Sequence, residues 1–322
     1  MGDRIFVTGG SGRIGRHLIR ALVSSGHDVV ALARSAEAER IVQEAGASVV
    51  KGNLGDAEAL RRGVEGAEHI FHLAGGVRGA GNITADVLNN EGTANVVSAA
   101  ESRSSELKSF VFASTCAVYG DRSSLWIEED FVPSPNTLYG ASKVKAEKHV
   151  MDAFERSGLP ARIARIGAVY GEGFTFDMAE RMKRGVAWLP GEGHNLVPTI
   201  VVGECVRALI KIAEDGGDGE IYHVADQSTP TLKEFYDEVH RLAGGTPVRF
   251  WSTWIPSYVQ NSGARFNEDL KARMGRRPRF TPDNLSLYTN SIRLKVDKLT
   301  DELGFEWEYP DYKSGIASAF GG

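Results

Sequence analysis

The chain has 322 residues, 42% of them hydrophobic and 25% charged, enough to bury a substantial core as one large domain or two closely joined lobes. Its net charge of −5 and pI near 6.0 exclude a global electrostatic pull toward nucleic acid or an anionic membrane. No apolar run approaches membrane-spanning length, strand-like sequence begins at once with no leader, and two distant cysteines with eight scattered histidines make neither a disulfide framework nor a ligand-spaced motif, so a cytoplasmic protein without a metal site is expected.

Arg4-Ile5-Phe6-Val7 predicts a first strand, and Leu18, Leu22 and Val23 mark the apolar face of a following helix. Between them lies Thr8-Gly9-Gly10-Ser11-Gly12-Arg13-Ile14-Gly15, a turn whose missing side chains let the backbone approach a pyrophosphate while the helix N-terminus attracts its charge. Gly9, Gly12, Arg13, Ile14 and Gly15 are therefore candidate dinucleotide-binding residues. A second strand, Asp28-Val29-Val30-Ala31-Leu32-Ala33, completes a βαβ unit. An acid at its end would bond a ribose 2′-hydroxyl, but Arg34 stands there and no acid precedes Glu37. Arg34, with Arg13 as a second cation, can pair a 2′-phosphate, so NADP(H) is favoured over NAD(H); the alternative is a solvated strand-end charge.

Further strands are expected at 48–50, 68–73, 110–113, 161–166 and 221–224, with helices at 58–65 and 86–102 among them. Strands alternating with helices imply an α/β fold with a doubly wound parallel sheet, which binds ligands at the carboxyl ends of its strands. At those ends, Asn53 can bond an adenine edge while Leu54 packs on its ring, and Ala74 and Gly75 leave room for a ribose. Thr115 brings a hydroxyl to where a nicotinamide belongs. Tyr139 and Lys143, in Tyr139-Gly140-Ala141-Ser142-Lys143, share a helix face, where an ammonium can stabilise a phenolate for proton transfer. That spacing is common by chance and takes its meaning from Thr115 and the nucleotide-binding pattern upstream.

In their order, these motifs resemble the extended short-chain dehydrogenase/reductase superfamily, the NAD-dependent epimerase/dehydratase family, over residues 6–235 and again in Lys298-Leu299-Thr300-Asp301-Glu302-Leu303-Gly304-Phe305. The resemblance implies a Rossmann domain at 1–168, with returns near 196–226 and 283–300. A smaller, interleaved substrate lobe would come from 169–195, 227–282 and 301–322. It implies Tyr139 as the catalytic acid/base, Lys143 as the partner that lowers its pKa and holds the nicotinamide ribose, Thr115 as donor to the substrate oxygen, and Asn90 as a support. Related enzymes are commonly dimers, so a homodimer is compatible.

Departures from the family pattern narrow the chemistry. Dehydratases of the superfamily place an acid pair directly after the catalytic threonine, where this chain has Cys116 and Ala117. Its nucleotide-sugar epimerases usually carry an acid where Arg34 stands and an asparagine where Ala168 stands. Hydride transfer between NADP(H) and a carbonyl or secondary alcohol of a small molecule is thus the implied activity. Nucleotide-sugar epimerisation is the alternative, and a non-catalytic NADP(H)-binding protein a third reading. Basic residues from Lys271 to Arg279 suit either a diphosphate grip or a solvated surface segment. Trp251, Trp254, Ile255, Pro256 and Tyr258 suit an apolar substrate pocket or a core, and Glu128, Glu129 and Asp130 a solvated loop or an extra base.

Overall fold

Burial along the first strand sets the architecture: Ile5 and Val7 enter one apolar cluster and Phe6 the opposite one, as a strand covered on both faces requires. A computed structural model describes residues 2–76, 86–122, 125–173, 176–251 and 288–320. The first half runs β1 (Arg4–Thr8), α1 (Arg13–Ser24), β2 (Asp28–Ala33), α2 (Ala36–Glu44), β3 (Ser48–Lys51), α3 (Ala57–Val64), β4 (His69–His72), α4 (Gly92–Glu101) and β5 (Ser109–Thr115). A π-helical turn, Val87–Glu91, leads into α4, and a 3-10 turn, Cys116–Tyr119, follows β5. Then come β6 (Trp126–Ile127), α5 (Leu138–Ser157), β7 (Ala161–Ile166), β8 (Ala168–Tyr170), α6 (Phe176–Lys183), β9 (Trp188–Pro190) and β10 (Thr199–Val201). The remainder is α7 (Val202–Asp215), β11 (Ile221–Val224), α8 (Leu232–Ala243), β12 (Arg249–Trp251), β13 (Arg293–Leu294), α9 (Asp297–Asp301) and α10 (Tyr312–Phe320).

Seven strands form the main sheet in the order β11-β7-β5-β4-β1-β2-β3, with every pairing parallel. The expected strands are all present, and the chain's direction of travel across the sheet reverses between β1 and β4. Their carboxyl ends, Thr8 and His72, pair directly, so a crevice opens at this switch point. One face is covered by α1, α7 and α9 through Leu18, Ile19, Leu22, Leu209, Ile212 and Leu299. On the other, Leu60 of α3, Val96 and Val97 of α4, and Ala146 and Val150 of α5 pack against Phe6, Ile70, Phe110 and Phe112. The long helix α5 is delimited by local chemistry: the Thr137 side chain accepts from Gly140 N, and Gly158 ends it in the left-handed conformation with φ 66°.

A third apolar cluster is built by Tyr170, Met178, Met182, Leu189, Val201, Leu232, Phe235 and Ile316. Trp254, Ile255, Pro256, Tyr258 and the basic run from Lys271 to Arg279 lie outside the described residues. Where this cluster meets β11, Asp226 is 1% exposed and its Oδ2 accepts from Thr199 Oγ1 at 2.8 Å and Tyr170 Oη at 3.2 Å. Burial pushes its carboxyl up to about 8, against the lowering effect of those two donors.

A folded pKa above the ordinary value near 4 means that Asp226 contributes stability in full below that value, and that this contribution is lost as pH rises through about 8. Asp226→Asn removes the titration while keeping the acceptor. Its Tm is expected to rise relative to the native protein by at least about 2 °C between about pH 5 and pH 9. Parallel Tm-versus-pH curves for the two proteins would refute the assignment.

Candidate active site

A cleft of about 400 Å³ opens over the switch point, lined by Gly9, Ser11, Gly12, Leu32, Arg34, Ala38, Gly52, Asn53, Leu54, Gly55, Leu73, Ala74, Gly75, Val87, Leu88, Glu91, Gly92 and Asn95. Gly9 needs its freedom, since φ is +76° and a Cβ there would sit 2.6 Å from Ala74 N. A Cβ on Gly15 would lie 2.2 Å from Gly9 O, so the turn and the start of α1 close on each other only because both lack side chains. Gly12 begins α1 with no side-chain cap and no acid in the first turn. The first N–H groups and the positive dipole end are thus left for an anion. Arg13 and Ile14 occupy that first turn, Arg13 exposed and Ile14 packed on the core.

Arg34 stands exposed at the end of β2 on the cleft rim. Asn53 Oδ1 accepts from Gly55 N at 2.8 Å, which stiffens the turn that the cleft wall uses. Leu54 is braced from behind by Asn95, whose Nδ2 donates to Leu54 O at 2.9 Å. A glycine-floored cleft with an open helix N-terminus, an apolar wall and a cation at the rim fits a dinucleotide. Ala38, Asn95 and the Val87–Glu91 turn also line it, and no motif in the sequence announces them.

Behind the Gly75 wall lie the proposed proton-transfer groups. Thr115 ends β5 close enough to the Tyr139 phenol to pull its pKa down, and its Oγ1 accepts from Ala117 N at 3.2 Å. Lys143 is 3% exposed, and its ammonium donates to Ala113 O at 2.6 Å and lies 4.2 Å from the Phe112 ring centroid. A Cβ on Gly75 would come within 3.5 Å of Lys143 Nζ, so the amine reaches the cleft wall. Lys143 therefore spends its described hydrogen bond on β5.

Burial pushes the Tyr139 phenol up to about 12, with the Thr115 hydroxyl pulling it down. Burial also drops the Lys143 ammonium to about 8, opposed by Glu147.

The supporting asparagine is a correction of one residue. Asn89, 1% exposed, exchanges hydrogen bonds with Gly76 N (2.9 Å) and Gly76 O (3.0 Å) and donates to Ser142 Oγ at 2.9 Å. It ties the loop after β4 to α5. Asn90 instead faces His149, with Oδ1 2.8 Å from Nε2. Glu129, expected in a solvated loop, is also engaged: its Oε1 accepts from His223 N at 3.1 Å and its carbonyl from Arg165 Nη1 at 3.0 Å.

Cys116 is partly buried beside Thr115 and Tyr139, and burial pushes its thiol up to about 12. It therefore stays a neutral thiol near neutrality and supplies no base, where the dehydratase pattern has a carboxylate. His72 is buried between Thr8 Oγ1 (2.6 Å) and Thr93 Oγ1 (2.9 Å), and burial drives it down to about 3. It is a neutral structural linker between β1, β4 and α4. No helix among the described residues is long and apolar enough to cross a membrane.

Comparison with known proteins agrees with this geometry. The family model for the NAD dependent epimerase/dehydratase family matches residues 5–225. The chain is 31% identical over 314 residues to the 4-hydroxy-2-methyl-3-oxo-4-farnesyl-3,4-dihydroquinoline-1-oxide ketoreductase of Stigmatella aurantiaca, covering 94% of this chain and 91% of that one. It is 32% identical over 260 residues to the 2-alkyl-3-oxoalkanoate reductase of Stenotrophomonas maltophilia (strain K279a), covering 76% and 77%. Among solved structures it shares the fold of UDP-glucuronic acid 4-epimerase from Bacillus cereus, with a TM-score of 0.77, 19% identity and 99% and 98% of the two chains covered. The chain therefore belongs to the NAD-dependent epimerase/dehydratase family, NAD(P)-binding enzymes of the extended short-chain dehydrogenase/reductase type.

Proposed function

We propose that this protein is an NADP(H)-dependent ketone reductase acting on a small, largely apolar molecule. The observation that carries the reading is the set Thr115, Tyr139 and Lys143 at the Gly75 wall of a dinucleotide-shaped cleft. Support comes from the absence of any second acid or base beside Thr115, where only Cys116 and Ala117 follow, and from the match along nearly the whole chain to a ketoreductase. The 2-alkyl-3-oxoalkanoate reductase relative is also a reductase of a ketone flanked by carbon chains, by its name.

The bound dinucleotide would supply the hydride. Gly9, Gly12, Arg13, Ile14 and Gly15 would hold its diphosphate, Asn53 and Leu54 its adenine, Ala74 and Gly75 its inner ribose, and Arg34 a 2′-phosphate. Thr115 holds the carbonyl oxygen by hydrogen bonding. Tyr139, neutral at pH 7 because burial keeps its phenol near 12, donates the proton that the oxygen takes up as its negative charge develops. Lys143, largely ammonium at that pH, lowers the cost of the phenolate left behind. The separate core of Tyr170, Met182, Phe235 and Ile316 would carry the substrate lobe.

The test is turnover of a panel of alkyl-substituted 3-oxo compounds with NADPH or NADH. NADPH-dependent loss of the ketone is expected. Conversion of a sugar nucleotide without added cofactor, by protein that retains NAD through purification, would overturn the proposal in favour of epimerisation.

Arg34→Glu is expected to weaken NADPH binding by at least about tenfold and leave NADH binding near native, read by quenching of protein fluorescence. Equal weakening of both cofactors would show that Arg34 is a structural or general charge rather than a 2′-phosphate partner.

A further inference from the structure

Consecutive residues of β5 hold residues of α5 that lie four apart. Ala113 O accepts from Lys143 Nζ and Ser114 Oγ donates to Glu147 Oε1, while Thr115, next along β5, acts on the Tyr139 phenol one turn before Lys143. Tyr139, Lys143 and Glu147 thus form one stripe on the helix, two turns long. Glu147 is 5% exposed and Arg165, from β7, is 3% exposed. Arg165 grips the carboxylate with both arms, Nε to Oε1 at 3.1 Å and Nη2 to Oε2 at 2.8 Å. Its remaining amino group bonds Tyr119 Oη at 2.6 Å and Glu129 O at 3.0 Å. Tyr119 Oη in turn meets His223 Nε2 at 2.5 Å. A charge pair this deeply buried is costly unless every arm is satisfied, and here each arm is.

We propose that Glu147, braced by Arg165 and Ser114, is a positioning residue that acts through Lys143, keeping it charged where Ala113 O holds it. Its carboxylate is the anion on the helix stripe one turn beyond the amine. The other groups that face Lys143 cannot take that part. Tyr139 on its own helix is neutral, His72 of β4 is neutral, Ala113 O and the Phe112 ring of β5 carry no net charge, and Arg165 of β7 is a cation that acts through Glu147. The sign follows: loss of the carboxylate disfavours the ammonium, so Lys143 would release its proton at lower pH. This inference rests on the reading of Lys143 as a working ammonium in the proposed reductase.

The experiment is a pH titration of the full chain carrying ¹³Cε-labelled lysine, followed by NMR, with Lys143→Arg used to assign the signal. Glu147→Gln is expected to move the Lys143 midpoint down by about one pH unit, a tenfold change in acid dissociation. Glu147→Asp, which keeps the charge, is expected to stay within about 0.3 of native. The upper-pH limb of turnover should move with it in the same direction. An unmoved Lys143 signal in Glu147→Gln overturns the proposal. Should that variant not fold, the native protein decides: a Lys143 midpoint below about pH 7 means that the carboxylate does not hold the charge. Because the titration needs neither substrate nor cofactor, a shifted lysine in a protein that reduces no ketone would count against the proposed function alone.

Discussion

Tyr139→Phe is expected to lower kcat/KM for ketone reduction by about 10²–10⁴-fold, the usual worth of a positioned general acid. NADPH should bind with near-native affinity, because the substitution leaves the residues lining the dinucleotide cleft in place. The substitution deletes one hydroxyl and keeps the ring, so stability should change little. Thr115→Val should cost less, since it removes the group that holds the oxygen but leaves the proton donor. In the native enzyme the reductive rate should fade as pH rises through about 8, where Lys143 loses its charge. Stopped-flow hydride transfer together with a binding titration separates these effects. Near-native turnover by Tyr139→Phe would remove Tyr139 from the chemistry.

The sheet was legible because its signals are local and repeated. Each buried strand is a short apolar run with β-branched residues, and β1, β2 and β3 are each followed directly by a helix with a 3.6-residue stripe. The glycine turn was legible for the same reason: the spacing of Gly9, Gly12 and Gly15 answers a single local demand, close approach of β1's end to α1. What sequence could not carry was the face a residue takes when the helix is irregular. Asn89 and Asn90 are adjacent, and a regular helix allows only one of them toward the site. Both lie in the π-helical turn Val87–Glu91, where Asn89 bonds Gly76 and Ser142 and Asn90 meets His149. No composition or period marks such a turn.

A different blindness applied to Lys143. Four-residue spacing on α5 truly places it on the face of Tyr139, yet the spacing is silent about β5, whose Ala113 carbonyl claims the amine. The partner that holds Glu147, Arg165, is 18 residues away on another strand, and pairing across elements leaves no trace in a one-dimensional pattern. The site is thus half local motif and half tertiary support. The first half names the chemistry and the second sets the charges that make it work at neutral pH.

The second large effect is expected at the other end of the cleft. Gly15→Ala would ordinarily stabilise a helix by about 0.5–1 kcal/mol through lower backbone entropy in the unfolded chain. At this position that gain is overwhelmed, because the new Cβ would stand 2.2 Å from Gly9 O and 2.7 Å from Gly10 Cα. Both are backbone atoms of the turn and cannot rotate aside, and Gly9 is itself pinned against Ala74. The turn must move outward, which breaks the 2.9 Å bond from Gly12 N to Gly9 O and misaims the first N–H groups of α1. Since those groups are the proposed diphosphate ligands, NADPH affinity should fall by about 100-fold or more, equivalent to about 2.7 kcal/mol. Tm should drop by several degrees. Gly203→Ala is the control: it is exposed near the start of α7, has nothing within 4 Å of its Cβ position, and should leave both quantities unchanged or raise Tm slightly. If Gly15→Ala bound NADPH like the native protein, close packing of α1 on the glycine turn would not be what builds the cofactor site.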